Sequence, residues 1–194
     1  MSKKIKNIGV FCSSSNKVDS IYKEETRKLG EALSKEGFNL VFGAGNIGLM
    51  GEISKTMKAN GSKIIGVTTK YIQESEIFNP HIDDLIIVDD LLKRKDKIND
   101  LSDAIIALPG GFGTIDEITE ILALKQLGQE EEPIILYNIN GFWNPFMELY
   151  EEIVDKKFAK KSHLKFLTMV DNPQDCIKAL YTKQTDLSKE NWRL

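Results

Sequence analysis

Ala104-Ile105-Ile106-Ala107, continued by Leu108-Pro109-Gly110-Gly111-Phe112-Gly113-Thr114-Ile115-Asp116-Glu117, is the stretch that decides the fold. The first four residues form a short apolar run that reads as a buried strand. The glycines read as a turn, and Ile115, Ile118 and Leu122 then recur at helical spacing. Three glycines in four positions let the backbone come close to a ligand with its N–H groups pointing at it. The positive end of the following helix lies at the same place, so an anion is expected there, most simply a phosphate. Glu117 falls in the first turn of that helix. An acid suits the dipole there, and its carboxylate would also sit beside whatever the turn holds. A Gly-Gly-x-Gly turn followed by a helical acid is common in α/β proteins, so the rest of the chain has to decide between ligand site and plain turn.

Toward the N-terminus, Ile8–Cys12 reads as a first buried strand, closed by Ser13-Ser14-Ser15-Asn16. An amphipathic helix from Ile21 to Glu36 follows, with Leu29 and Leu33 on one face and Gly37 as its stop. Asn39–Phe42 is a second strand running into Gly43-Ala44-Gly45-Asn46-Ile47-Gly48-Leu49-Met50-Gly51. A helix over residues 50–59 ends at Asn60-Gly61, and Lys63–Val67 makes a third strand. Residues 70–84 read as an irregular loop, with Asn79-Pro80 as its breaker. Leu85–Val88 then forms a short strand, and Leu91–Leu101 a helix. Beyond the opening stretch come a strand at Pro133–Tyr137, a helix over 144–157, a strand at Leu167–Val170 and a helix from Pro173 to Thr182. Alternation at this rhythm implies right-handed βαβ units and a parallel sheet.

Composition narrows the function classes. With 194 residues, 41% of them hydrophobic, one globular domain is expected over residues 1–183, with a polar tail at 184–194. A net charge of −3 leaves no electrostatic footprint for nucleic acid. No run approaches the roughly 20 apolar residues that span a bilayer. Lys3, Lys4 and Lys6 precede an apolar run too short for the core of a signal peptide. Cys12 and Cys176 lack a CxxC partner, which fits a reduced cytoplasmic setting, and His81 and His163 are the only histidines. Neither a metal nor a cofactor is expected.

Gly43, Gly45 and Gly48 match G-x-G-x-x-G between a strand and a helix, the pattern of a dinucleotide fingerprint. Against that reading, the motif follows the second strand, and Val67-Thr68-Thr69 stands where an acidic residue should end the next one. Two phosphate-competent turns suit one mononucleotide at the carboxyl edge of the sheet better than a coenzyme laid across it. Lys93-Arg94-Lys95 reads either as the solvated face of a helix or as a cationic group brought to that same edge, with Arg94 clamping a phosphate or facing a leaving base. Ser13-Ser14-Ser15 is either a polar turn or a source of hydroxyl donors to the site. Cys12 reads as core, as do Ile121, Leu122, Leu124, Phe142, Trp143 and Phe146.

Taken together, Val41 to Gly51, Arg94-Lys95 and Pro109-Gly110-Gly111-Phe112-Gly113-Thr114-x-x-Glu117 resemble the Lonely Guy family, the cytokinin riboside 5′-monophosphate phosphoribohydrolases, often labelled lysine decarboxylase-like. The resemblance runs from about residue 5 to 180. It implies a doubly wound, Rossmann-like parallel sheet, a homodimer or an assembly of dimers, and a nucleotide site near the subunit interface. The implied activity is hydrolysis of the N-glycosidic bond of a nucleoside 5′-monophosphate, cytokinin riboside 5′-monophosphate and also AMP, to free base and ribose 5-phosphate. Carried over by position, Arg94 and Glu117 are the catalytic pair. Lys95 and the turn of Gly110, Gly111, Phe112, Gly113 and Thr114 bind substrate, and an upstream acid falls on Glu76. Gly43, Gly45 and Ser13 complete the expected substrate set. The helix after the turn has Ala123 where the family often has Thr, and Leu91-Leu92-Lys93 replaces a Met-His-x form, so substrate preference is left open. Nothing in the chain argues for pyridoxal phosphate. Cleaving a ribosyl–N bond builds positive charge on the sugar and negative charge on the base, which a carboxylate and a guanidinium can oppose. The alternative is a nucleotide-binding carrier or sensor without catalysis.

Overall fold

The computed structural model describes residues 5–75 and 79–182, so Glu76 and the C-terminal tail lie outside the described residues. The elements are β1 (Asn7–Phe11), α1 (Ser20–Lys35), β2 (Asn39–Phe42), α2 (Gly48–Ala59), β3 (Ile64–Thr69), α3 (Lys70–Ser75), β4 (Asp84–Val88) and α4 (Leu91–Leu101). The chain continues through β5 (Ala104–Ala107), α5 (Phe112–Gln126), β6 (Ile134–Tyr137), α6 (Asn144–Asp155), β7 (Leu167–Val170) and α7 (Pro173–Tyr181), with short 3-10 turns at Ile139–Gly141 and Lys161–Phe166.

All seven strands run parallel in the order β4-β3-β2-β1-β5-β6-β7. The central strands are buried on both faces, so they read as continuous apolar runs. Side chains alternate between the faces with the period of two that a strand imposes. Ile106 thus joins Leu29, Leu33, Ile53 and Met57 beneath α1 and α2, while its neighbour Ile105 joins Ile98, Ile118 and Trp143 beneath α4, α5 and α6. This is the doubly wound, Rossmann-like α/β architecture expected. The chain steps outward from β1 to β4, then returns to β5 on the other flank of β1. Loops leaving β1 and β5 therefore diverge, and a crevice opens at that switch point.

Three local expectations need correction. Glu117 is the sixth residue of α5, in its second turn rather than its first, because the helix already begins at Phe112 within the glycine run. Residues 70–75 form the short helix α3 rather than loop, its Ile72 N–H donating to the Thr69 hydroxyl at 3.3 Å. A cap from the preceding strand can start a helix where no apolar period announces one. Phe142 is 38% exposed and meets Tyr22 and Trp143 edge-on, so of the three aromatics placed in the core only Trp143 is fully buried.

Candidate active site

The carboxyl ends of β1, β2 and β5 frame a cleft of about 430 Å³, lined among others by Cys12, Ser13, Gly43, Arg94, Thr114 and Glu117. The backbone of Ser13 knits its walls together. Its N–H donates to the Pro109 carbonyl at 3.1 Å, and its carbonyl accepts the N–H groups of Leu49 and Met50 at 2.9 and 3.4 Å. The Gly48 N–H donates to Asn16 Oδ1 at 2.9 Å. The first donors of α2 are thus spent inside the protein, and a Cβ on Gly48, at φ +61°, would lie 2.7 Å from the Ser13 carbonyl oxygen. Chain packing therefore accounts for this part of the G-x-G-x-x-G spacing, and the α2 end is not the second anion seat that the glycine pattern suggested. Gly45 does not line the cleft; its carbonyl accepts Asn79 Nδ2 at 2.8 Å.

The start of α5 is open by contrast. Gly111 is its extended N-cap and no side chain caps it, so the N–H groups of Phe112, Gly113 and Thr114 lack the intrahelical partners that later residues have. The three glycines of this turn divide by role. A Cβ on Gly110 would overlap the Thr114 hydroxyl and lie 2.5 Å from Thr114 Cβ, whereas one on Gly111 or Gly113 would meet nothing within 4 Å. Gly110 makes room for Thr114; Gly111 and Gly113 leave the helix end open to a ligand. Phe112 stands 94% exposed at the cleft rim. Ser13 lines the cleft while its hydroxyl accepts the Ser15 N–H at 3.0 Å, which leaves the O–H to donate. Ser13 thus takes part in a polar turn and also presents a hydroxyl to the cleft.

Only Arg94 of the basic triplet enters the cleft. Asp90 caps α4 by accepting the Lys93 N–H at 2.8 Å, and Lys93 pairs with exposed Asp89. Lys95 lies outside the cleft lining, its ammonium held between Asp116 and Glu120 of α5 at 2.9 and 2.8 Å. Arg94 extends beneath the strand ends. Its Nε donates to the Val67 carbonyl at 3.1 Å and its Nη2 to the Gly43 carbonyl at 3.0 Å, which leaves Nη1 facing Glu117 at 3.9 Å. Both side chains are 13% exposed. Burial pushes the Glu117 carboxyl from 4.5 up to about 7; Arg94 and Lys95 oppose the rise, while Asp116 and Glu120 add to it. The Cys12 thiol is pushed up by burial and then by the charge of Glu117, which keeps it unreactive. Met50 and Ile72 also line the cleft. Met50 could have been found from its place just after the glycine turn; nothing in the irregular 70–84 stretch marked Ile72.

Fold and cleft define a class: a Rossmann-like α/β protein with a cleft at its switch point, lined by the uncapped N-terminus of α5 and by a buried Arg–Glu pair. A family described as possible lysine decarboxylase matches residues 50–180. A probable cytokinin riboside 5′-monophosphate phosphoribohydrolase of Oryza sativa subsp. japonica is 33% identical over 98% of this chain and 80% of its own length. A cytokinin riboside 5′-monophosphate phosphoribohydrolase of Arabidopsis thaliana is 34% identical over 98% of this chain and 92% of its own length. The chain belongs to this Lonely Guy family. Among solved structures, the molybdenum cofactor carrier protein of Chlamydomonas reinhardtii aligns with TM-score 0.70 at 20% identity, covering 93% of this chain and 100% of that one. The molybdenum cofactor binding protein of Rippkaea orientalis aligns at 0.69 with 21% identity, covering 91% and 96%. At such identities the likeness concerns the fold.

Proposed function

We propose that this protein hydrolyses the N-glycosidic bond of nucleoside 5′-monophosphates, cytokinin riboside 5′-monophosphate and also AMP, giving free base and ribose 5-phosphate. The observation that carries the reading is Glu117 facing Arg94 at 3.9 Å beside the open N-terminus of α5. The 5′-phosphate is assigned to the N–H groups of Phe112, Gly113 and Thr114 with the Thr114 hydroxyl, where helix dipole and free donors favour an anion. That places the ribose against Glu117. As the C1′–N bond breaks, its electron pair leaves with the base and positive charge develops at C1′; the Glu117 carboxylate stabilises that charge or takes a proton from the attacking water. The guanidinium of Arg94 opposes the charge left on the base, which then takes up a proton. The hydroxyl of Ser13 supplies a further donor. Lys95 is assigned an indirect part, holding α4 against α5 so that Arg94 and Glu117 stay opposed.

A carrier or sensor would use the open helix end but has no need of a carboxyl held near neutrality against a guanidinium, and this pair favours catalysis. A homodimer or assembly of dimers and a cytoplasmic setting accompany the proposal. No helix among the described residues is long and apolar enough to cross a membrane. The test is chromatographic detection of free base from isopentenyladenosine 5′-monophosphate and from AMP, with Glu117→Gln in parallel. Release of base that the variant abolishes is expected. Tight nucleotide binding without release would favour the carrier.

A further inference from the structure

We propose that Gly43 is a positioning residue for the reaction: the space left by its missing side chain is the seat of the Arg94 guanidinium. This rests on the hydrolase reading and deepens it. Gly43 directly follows β2, the strand that ends at Phe42, and its carbonyl accepts from Arg94 Nη2 at 3.0 Å. The three atoms nearest a Cβ built on Gly43 all belong to Arg94. That Cβ would overlap Nη2, lie 2.9 Å from Cζ and 3.6 Å from Nε. No other residue supplies one of those nearest atoms, and Gly43 is not among the glycines with positive φ. Its backbone therefore accepts an L side chain, and what a methyl group displaces is the end of one long side chain. The guanidinium is fixed at two points, Gly43 and the Val67 carbonyl, and these leave Nη1 as the nitrogen facing Glu117. A methyl at 43 breaks the first point and swings the charge away from the carboxylate.

A glycine from a dinucleotide-type pattern thus has a different task here. It lines the cleft, but its closest service is to a protein side chain 51 residues away. Because the atom in the way is flexible, Gly43→Ala should fold and lose function together, which separates positioning from scaffolding. Removing one preorganised charged donor lowers turnover by about 10²-fold.

The experiment is a cycle of Gly43→Ala, Arg94→Ala and both together, assayed for base release from AMP and from isopentenyladenosine 5′-monophosphate, with thermal melts of each. Gly43→Ala is expected to lower kcat by about 10²-fold with KM changed less than threefold. Added to Arg94→Ala it should have no further effect, since the side chain it displaces is gone. A second readout needs no turnover: the Glu117 carboxyl, followed by carbon NMR in each free protein. Facing Glu117 are Arg94 and Lys95 from α4, Cys12 beyond β1, and Asp116 and Glu120 on its own helix. Loss of the guanidinium should raise the Glu117 titration midpoint in both single variants alike. If Gly43→Ala keeps kcat within twofold, or lowers it another tenfold on top of Arg94→Ala, or leaves the Glu117 midpoint unmoved, the proposal is overturned. If the wild-type protein releases no base, the hydrolase reading falls, and the titration still decides the seat of Arg94.

Discussion

Replacing Glu117 with Gln should make the protein more stable at alkaline pH while removing its activity. The carboxyl is raised from 4.5 to about 7, chiefly by burial. Between those values the unfolded chain has released its proton and the folded chain still holds it, so stability falls as pH rises. The contribution is fully present below about pH 4.5 and lost once pH passes about 7. At about 1.36 kcal/mol per unit, the ionised form costs the wild-type fold about 3 kcal/mol at pH 8.5. With the side chain only 13% exposed, solvent screening removes little of this. Gln cannot titrate and avoids the cost. For a chain of this size the gain corresponds to about 6–12 °C in melting temperature. Melts of both proteins by circular dichroism from pH 4 to pH 9 would show it, the quantity read being the difference in Tm at each pH. Any fixed misfit of the amide adds a constant and leaves the slope untouched. A Tm difference that is flat from pH 4 to pH 9, or that falls as pH rises, would refute the burial argument.

The same carboxyl sets a pH–rate limb. If Glu117 works ionised, kcat/KM should climb with pH to a midpoint near the free-enzyme value of about 7 and then level off, and a profile already flat from pH 5 upward would remove it from the chemistry. Lys95→Met takes away a positive charge that favours the carboxylate and leaves Asp116 and Glu120 unneutralised, so the limb should move to higher pH with KM little changed; a large rise in KM would instead mark Lys95 as a direct phosphate ligand. Gly110→Ala and Gly113→Ala should behave oppositely. The first collides with Thr114 and should cost about 1–3 kcal/mol in a denaturant melt. The second has open space and should leave stability unchanged while raising KM about tenfold, equivalent to about 1.4 kcal/mol of lost phosphate binding.

The β5–turn–α5 unit was legible because each of its parts carries its own local signal: an apolar run, glycines, then helical spacing. The same holds for α1, whose Leu29 and Leu33 are both fully buried as their spacing implied. What depended on distant partners was not legible. α3 begins because the Thr69 hydroxyl is there to accept an N–H, and no periodicity reports a cap. Arg94 and Lys93 are adjacent in sequence and look alike as charges on a first helical turn. Only the fold, by laying the ends of β2 and β3 beside α4, turns one inward and leaves the other in water. The glycine motif at 43–48 pointed to the right edge of the sheet but not to its task, because the atoms a side chain would meet at Gly43 and Gly48 come from Arg94 and from the loop after β1.

The closure of α2 by Ser13 and Asn16 has a further consequence on the proposed function. With the α2 end spent and the α5 end open, these two helix termini let the cleft count phosphates: between them they offer strong backbone neutralisation to one. Nucleoside diphosphates and dinucleotides would carry their extra charge against carbonyl oxygens already engaged with α2. Discrimination by charge number then needs no lid and no clash with the base, and it follows from where two serine-loop acceptors happen to point.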